Sequence, residues 1–377
     1  MKNKLMRTTA LVGSMIALGS GISVAQTTVT GNLDISYRAV SNDANGNGQS
    51  SFRGFGKETQ INIANKGKLN NGMDYAAGFS LEFDGNDLQG SGTNTATYQG
   101  LHGEGVYLNF ISGNTTLHFG ADHIQNPDSH GLINPVGVGY ITTYGANITA
   151  ASASAASGIY PTVSNSPYQA YGVGLIQNVP NVGRLSAFYA PTASDANSGP
   201  DIGNNVSINN YETTAESAIE VGFTGDFGVK GLTIQAFHNV RDAADRNAST
   251  TAGTGKIKGT VLTGAYNFGQ ITAAVDYRKT EGGAKASATD TLPDEEIKGK
   301  AASLTFAATK DLSLGIVYGK ADSNLSTKPV DEKIKIVSVG YNLGPVALNG
   351  EFTNTDNIGG VSGQDAKEFI IKASTRF

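Results

Sequence analysis

The chain has 377 residues, with 49 Gly, 10 Pro, no Cys and no Trp, and a formal net charge of −5. A mildly acidic chain has no bias toward nucleic acid, and without cysteine its stability comes from something other than disulfides. Mean hydropathy is −0.20, and beyond the first residues no run approaches the roughly 20 apolar residues of a membrane-spanning helix.

The first element is an export leader. Lys2, Lys4 and Arg7 precede an apolar stretch at 10–24, and Ser23-Val24-Ala25 offers the small residues a signal peptidase requires. Gly13, Gly19 and Gly21 break that stretch, which is too short to span a bilayer. The expectation is a cleaved segment at 1–25 and one domain at 26–377; loss of the three basic residues takes the net charge from −5 to −8.

From there the chain alternates apolar and polar residues. Leu33, Ile35 and Tyr37 alternate with Asn32, Asp34, Ser36 and Arg38; Phe79, Leu81 and Phe83 with Gly78, Ser80 and Glu82; Phe369, Ile371, Ala373, Thr375 and Phe377 with Glu368, Lys372, Ser374 and Arg376. Period two puts one chemistry on each face of a strand. About sixteen such runs are predicted, at 28–40, 55–65, 72–84, 103–111, 114–121, 168–177, 182–190, 215–226, 231–241, 256–268, 270–279, 297–309, 311–321, 332–343, 345–355 and 366–377. The phase is ambiguous at 256–268 and 332–343. Lys333 and Lys335 share a parity with Val337 and Val339, which suggests a bulge.

The connections alternate short and long. Short ones fall near 67–71, 112–113, 179–181, 227–230, 269, 310 and 344; long ones near 41–54, 85–102, 122–167, 191–214, 242–255, 280–296, 322–331 and 356–365. Outer-membrane barrels sort their connections in this way, with short periplasmic turns, long external loops and an even strand number. In hydrocarbon every backbone N–H and C=O needs a partner, so only helices and closed barrels span. The expected fold class is all-β: a transmembrane antiparallel β-barrel of about 16 strands, too wide for side chains to fill its interior.

The residues also carry a family resemblance. The leader runs into Val29-Thr30-Gly31-Asn32-Leu33-Asp34, then Gly67-Lys68-Leu69-Asn70-Asn71-Gly72-Met73-Asp74-Tyr75 follows, and the chain closes on Arg376-Phe377. Over its mature length it resembles the Gram-negative general (non-specific) outer-membrane porins, nearer the proteobacterial branch outside the enteric group. The resemblance implies a homotrimer of sixteen-stranded barrels in the outer membrane, in contact with lipid and lipopolysaccharide. It implies a third external loop folded into the lumen, and a terminal Phe377 that serves as the signal read by the insertion machinery. Independently, 122–167 is the longest connection, and its middle at 149–157 is rich in Ala and Ser, small enough to pack inside a wall.

The sequence departs from many relatives in one respect: no Arg or Lys occurs from Asp122 through Pro167, and Asp122 and Asp128 are the only full charges there. By parity, Asp34, Glu58, Glu82, Asp122, Glu220, Asp276, Glu351 and Glu368 face the lumen together with Arg38, Arg184, Arg241, Arg278 and Lys372. The pore-lining and constriction candidates are Arg38, Glu82, Asp122, Asp128, Arg184, Glu220, Arg241, Asp276, Arg278 and Glu351. Rings of charge at the narrowest point set selectivity, and the acidic excess predicts a weak cation preference.

Other chemistry is weaker. His118, His123 and His130 flank the start of the long loop but lack the dense ligand set of a zinc site. Asp43, Asn45, Asn47 and Gly48 match the first half of a calcium loop, yet Gly54 stands where the bidentate Glu belongs, so an Asn/Gly turn is expected. There is no G-x-S-x-G elbow. No metal, cofactor or enzyme activity is expected. The aromatics Tyr37, Phe83, Phe110, Phe119, Tyr189, Phe223, Phe268, Tyr277, Tyr318, Phe352 and Phe377 sit toward strand ends, as interfacial girdles do. The functional expectation is passive diffusion of small hydrophilic solutes and ions. Its rivals are a channel selective for sugars or organic acids, and a secreted β-rich adhesin or binding protein.

Overall fold

The computed structural model describes residues 25–42, 50–84, 102–121, 171–191, 217–242, 256–282, 296–326 and 328–377. These form sixteen strands: β1 (Gln26–Asn42), β2 (Ser50–Lys68), β3 (Asp74–Asp84), β4 (His102–Ser112), β5 (Thr115–Ala121), β6 (Tyr171–Val179), β7 (Gly183–Ala190) and β8 (Ala218–Gly225), then β9 (Leu232–Asp242), β10 (Lys256–Asn267), β11 (Ile271–Glu281), β12 (Glu296–Ala307), β13 (Leu312–Ser323), β14 (Glu332–Leu343), β15 (Val346–Asp356) and β16 (Ala366–Arg376). Each strand pairs antiparallel with its sequence neighbours, and β1 pairs with β16, so the sheet closes with no edge. The long connections all leave one end of the barrel and the short turns the other.

The alternation that predicted the strands also sorts their faces. On β14, Val337 and Val339 point outward and are exposed, while Ile334, Ile336 and Ser338 point inward and are buried. Val275, Ile316, Tyr318, Phe352 and Ile371 continue the outward apolar surface on neighbouring strands. Side chains 48% exposed at Tyr189 and 61% exposed at Val275 would be unfavourable in water but are suited to hydrocarbon. Aromatic pairs cluster near the short turns, with Tyr266 against Phe268 at 4.7 Å and Phe223 against Phe227 at 5.0 Å.

The expected bulge on β14 is absent. Its register with β13 and β15 runs without a shift, and Lys333 and Lys335 stay on the outward face with Val337 and Val339. β10 repeats the arrangement with Lys256 and Lys258 in phase with Leu262. The pattern breaks because these strands extend past the apolar zone: both begin at the end that carries the long connections, where an outward Lys meets polar surroundings. Ion pairs line that rim, including Lys279 with Glu281 at 2.5 Å and Glu296 at 2.7 Å, Lys298 with Glu296, Lys320 with Asp331 at 2.8 Å, and Lys335 with Asp356 at 2.8 Å. The register shift that does occur lies between β3 and β4, at Gly78 and Ser80.

A second correction concerns the inward face, which is not uniformly polar. Ala274, Ala301, Val317, Ala321, Ile334 and Ile336 form a buried apolar cluster inside β11–β14. Lipid dictates what the outer parity must be, whereas nothing forces the inner parity to be polar wherever side chains are packed over. The connection between β15 and β16 contributes to such packing. Its 3₁₀ turn at Ile358–Gly360 buries Ile358 against the inward Val40 and Ala366. The Glu332 carboxylate anchors the turn by accepting the Gly359 N–H at 2.9 Å.

Candidate functional site

The inward charges group by strand. On the seam between β1 and β16, Arg38 pairs with Glu368, and the Lys372 ammonium lies 3.3 Å from Asp34. The antiparallel register brings these four together: Val40 stands opposite Glu368 and Ser36 opposite Lys372. On β11, Arg278 donates through Nε to Asp276 Oδ1 at 2.8 Å, both side chains almost fully buried. Period two places them on one face two residues apart.

Two further carboxylates accept hydrogen bonds from neutral side chains. Glu351 on β15 is 4% exposed. One of its oxygens accepts the Thr353 hydroxyl at 2.9 Å, and the other is buried without a hydrogen-bond partner. Glu220 on β8 accepts from Asn239 Nδ2 on β9 at 3.0 Å. Between the charged groups the wall carries buried neutral polar side chains, among them Gln235, Thr263, Ser303, Ser338 and Asn349.

The sequence candidates therefore distribute around the wall. Arg38, Glu220, Asp276, Arg278 and Glu351 all sit on the inward parity. Glu82 shares the inward parity of Ser80 on β3, toward the long-connection end. Arg184 follows the first residue of β7, so it lines the short-turn mouth beside Asn178 and Thr224 and away from the others. Arg241 lies on β9 opposite Ala218, and its side chain is outside the described residues, as is that of Phe83. Asp122, Asp128, His123, His130, the 149–157 stretch, the Asp43–Gly48 turn and the 1–24 leader also lie outside them. Phe377 ends the chain outside the wall, 53% exposed, its N–H and C=O bonded to Gly31.

The lumen polarity expected of His118 is met, and an aromatic that the sequence did not single out, Phe188, lies beside it. His118 on β5 is buried; its Nδ1 lies 2.7 Å from Asn109 Oδ1, between Tyr107 and Phe188 at ring distances of 6.4 and 6.1 Å. His118 and Phe188 are both on inward parities, and the alternation of β7, in which Phe188 shares the parity of Arg184 and Ser186, carries the signal for Phe188. All three are held by packing, and Phe188 is 2% exposed, so it offers no open ring face to a solute.

An apolar belt outside, a closed hydrogen-bonded wall, and inward charges in opposed pairs define a membrane channel built from strands. The family model described as "Gram-negative porin" matches residues 8–373, and the chain belongs to that family. Against curated proteins no match is found. Among solved structures, the chain is similar to the anion-selective porin from Comamonas acidovorans, at 14% identity and TM-score 0.62, covering 94% of this chain and 100% of that one. It is also similar to the outer-membrane channel DcaP of Acinetobacter baumannii, at 11% identity and TM-score 0.60, covering 94% and 97%. A trimeric form of OmpT from Vibrio cholerae aligns at 15% identity and TM-score 0.57, covering 94% and 99%. At such identities the structural likeness establishes the fold. Family and fold together are those of an outer-membrane channel for passive diffusion rather than an enzyme.

Proposed function

We propose that this porin is a general diffusion channel for small hydrophilic solutes with a weak preference for cations. One observation carries the preference. The inward cations Arg38, Arg278 and Lys372 each face a carboxylate at ion-pair distance, whereas Glu351 is held by a threonine hydroxyl. Paired charges cancel at a distance, so the field left in the lumen is negative, and fixed charge along a pore sets its selectivity. The Comamonas porin is described as anion-selective; charge placement on one barrel scaffold is free to differ.

The pore-lining set is Arg38, Glu82, Asp122, Asp128, Arg184, Glu220, Arg241, Asp276, Arg278 and Glu351, with the 122–167 connection narrowing the lumen. The protein assembles as a homotrimer, as the OmpT trimer does. Residues 1–25 are removed on export, Phe377 is the insertion signal, and lipid and lipopolysaccharide surround the wall.

Reversal potential across a potassium chloride gradient in a planar bilayer tests the reading. The wild type should favour K⁺, and Glu351→Gln should bring the permeability ratio closer to one. A wild-type preference for Cl⁻ would refute the proposal.

A further inference from the structure

Charge at the short-turn mouth is opposite in sign to the field of the lumen. Lys66 on β2, Arg184 on β7 and Arg376 on β16 share the inward parity there, and the β8–β9 turn adds Lys230. Lys66, Lys230 and Arg376 make no ion pair among the described residues. The acids at this end are engaged. Asp74 lies 2.5 Å from Lys68, Asp311 lies 3.6 Å from Lys310, and Asp226 Oδ1 accepts the Gly228 N–H at 2.9 Å. Phe377 carries its terminal carboxylate outside the wall, where its carbonyl oxygen accepts from Gly31.

Two of these cations, Arg184 and Lys230, line one pocket of about 590 Å³. Three successive short turns enclose it, with Asn114 from β4–β5, Asn178 and Asn181 from β6–β7, and Asp226 and Lys230 from β8–β9. Backbone bonds stitch the turns together: the Asn178 N–H donates to Asn114 O at 2.8 Å, and the Phe227 N–H to Val182 O at 3.1 Å. The walls are therefore fixed before a ligand enters. Arginine offers a carboxylate a planar fork, and lysine a point charge. The amides of Asn178 and Asn181 add N–H donors. Asp226 is the one carboxylate lining the pocket among the described residues, and its Oδ1 is committed to its own turn. Two cations from separate hairpins, facing one small polar pocket, match a compact molecule with a carboxylate at each end.

We propose that this pocket is a binding site for small dicarboxylates, filled from the short-turn side, which is the periplasmic side of an outer-membrane barrel. Arg184 holds one carboxylate and Lys230 the other. A bound dicarboxylate narrows the mouth and cancels its positive charge, so the ion current depends on the side from which the acid is presented. The site goes beyond the cation preference proposed above, which arises from other charges deeper in the lumen.

The test uses the full mature chain refolded in detergent, with succinate as the probe. Titration calorimetry at low ionic strength reads binding, where screening is weakest, and single-channel current in a planar bilayer reads its side. Heat-modifiable gel migration checks the folding of each variant. The wild type should bind succinate, and succinate in one chamber but not the other should reduce the current. Lys230→Gln and Arg184→Gln should each weaken binding about tenfold. If Arg184→Gln fails to fold, Arg184→Lys keeps the charge, loses the fork and should still bind succinate more weakly than the wild type. Acetate and uncharged succinamide should each bind about tenfold more weakly than succinate. Equal affinity in the wild type and Lys230→Gln overturns the proposal, as does equal binding of succinate and succinamide or acetate. Equal block from both chambers also overturns it, by placing the acid at a central constriction. Reversal potential in potassium chloride separates the two readings. A preference for Cl⁻ strikes the lumen charge, whereas a K⁺-preferring channel that ignores succinate strikes the pocket alone.

Discussion

Arg278 and Asp276 illustrate what a single pair does in this wall. Their side chains are 2% and 0% exposed and bonded at 2.8 Å, so the pair is far from the water that screens surface ion pairs. Removing one member of a buried pair strands the other charge, at a cost of about 3–5 kcal/mol. Arg278→Leu is expected to lower stability by about that amount, and adding Asp276→Asn should recover a large part of it. Urea titration in lipid vesicles, read by gel mobility of the folded band, checks both. The presence of these two residues on one face followed from their spacing; their contact did not, because alternation fixes the side of the sheet and leaves the rotamer open.

The seam of the barrel depends on β1 and β16. Gly31 and Phe377 exchange backbone hydrogen bonds of 2.8 and 3.0 Å. The Phe377 ring lies over Gly31, where a Cβ would fall 2.6 Å from ring carbon Cζ and 2.6 Å from Gln60 O. Gly31→Val should therefore displace the ring and strain the β1–β2 ladder, costing about 1–3 kcal/mol as overpacking does. The expected result is a smaller folded fraction on refolding into detergent. Phe377→Ala in the same chain should restore only part of it, since the Gln60 carbonyl remains. Strand identity was legible along the whole chain, and ambiguity arose where strands outrun the membrane. β2 runs from Ser50 to Lys68 against an expected 55–65, and the outward lysines of β10 and β14 kept phase without a bulge. Backbone pairing continues past the apolar zone, while the apolar signal stops at its edge.

At the scale of the molecule, the net field of the lumen decides which ions pass. The Debye length falls from about 10 Å at 0.1 M salt to about 3 Å at 1 M. The cation preference should accordingly diminish when reversal potentials are measured at a fixed gradient ratio but rising total salt. A preference that holds constant up to about 1 M would point to a tight ion site rather than the summed wall charge. The external mouth adds a feature that no alternation encodes: the Ile358–Gly360 turn tucks Ile358 inside the wall, with Glu332 holding Gly359.

What the sequence determined by itself was the closed barrel. A lipid-facing parity repeated over sixteen strands, with connections sorted by length, leaves no other way to satisfy every backbone group in hydrocarbon. What only the tertiary structure decided was the company each residue keeps: which cations are cancelled, that Glu351 leans on Thr353, and that Arg184 and Lys230 from separate hairpins line one pocket. Alternation is a property of one strand, whereas these contacts depend on the register between strands, and register is set by the turns and the closure of the whole ring.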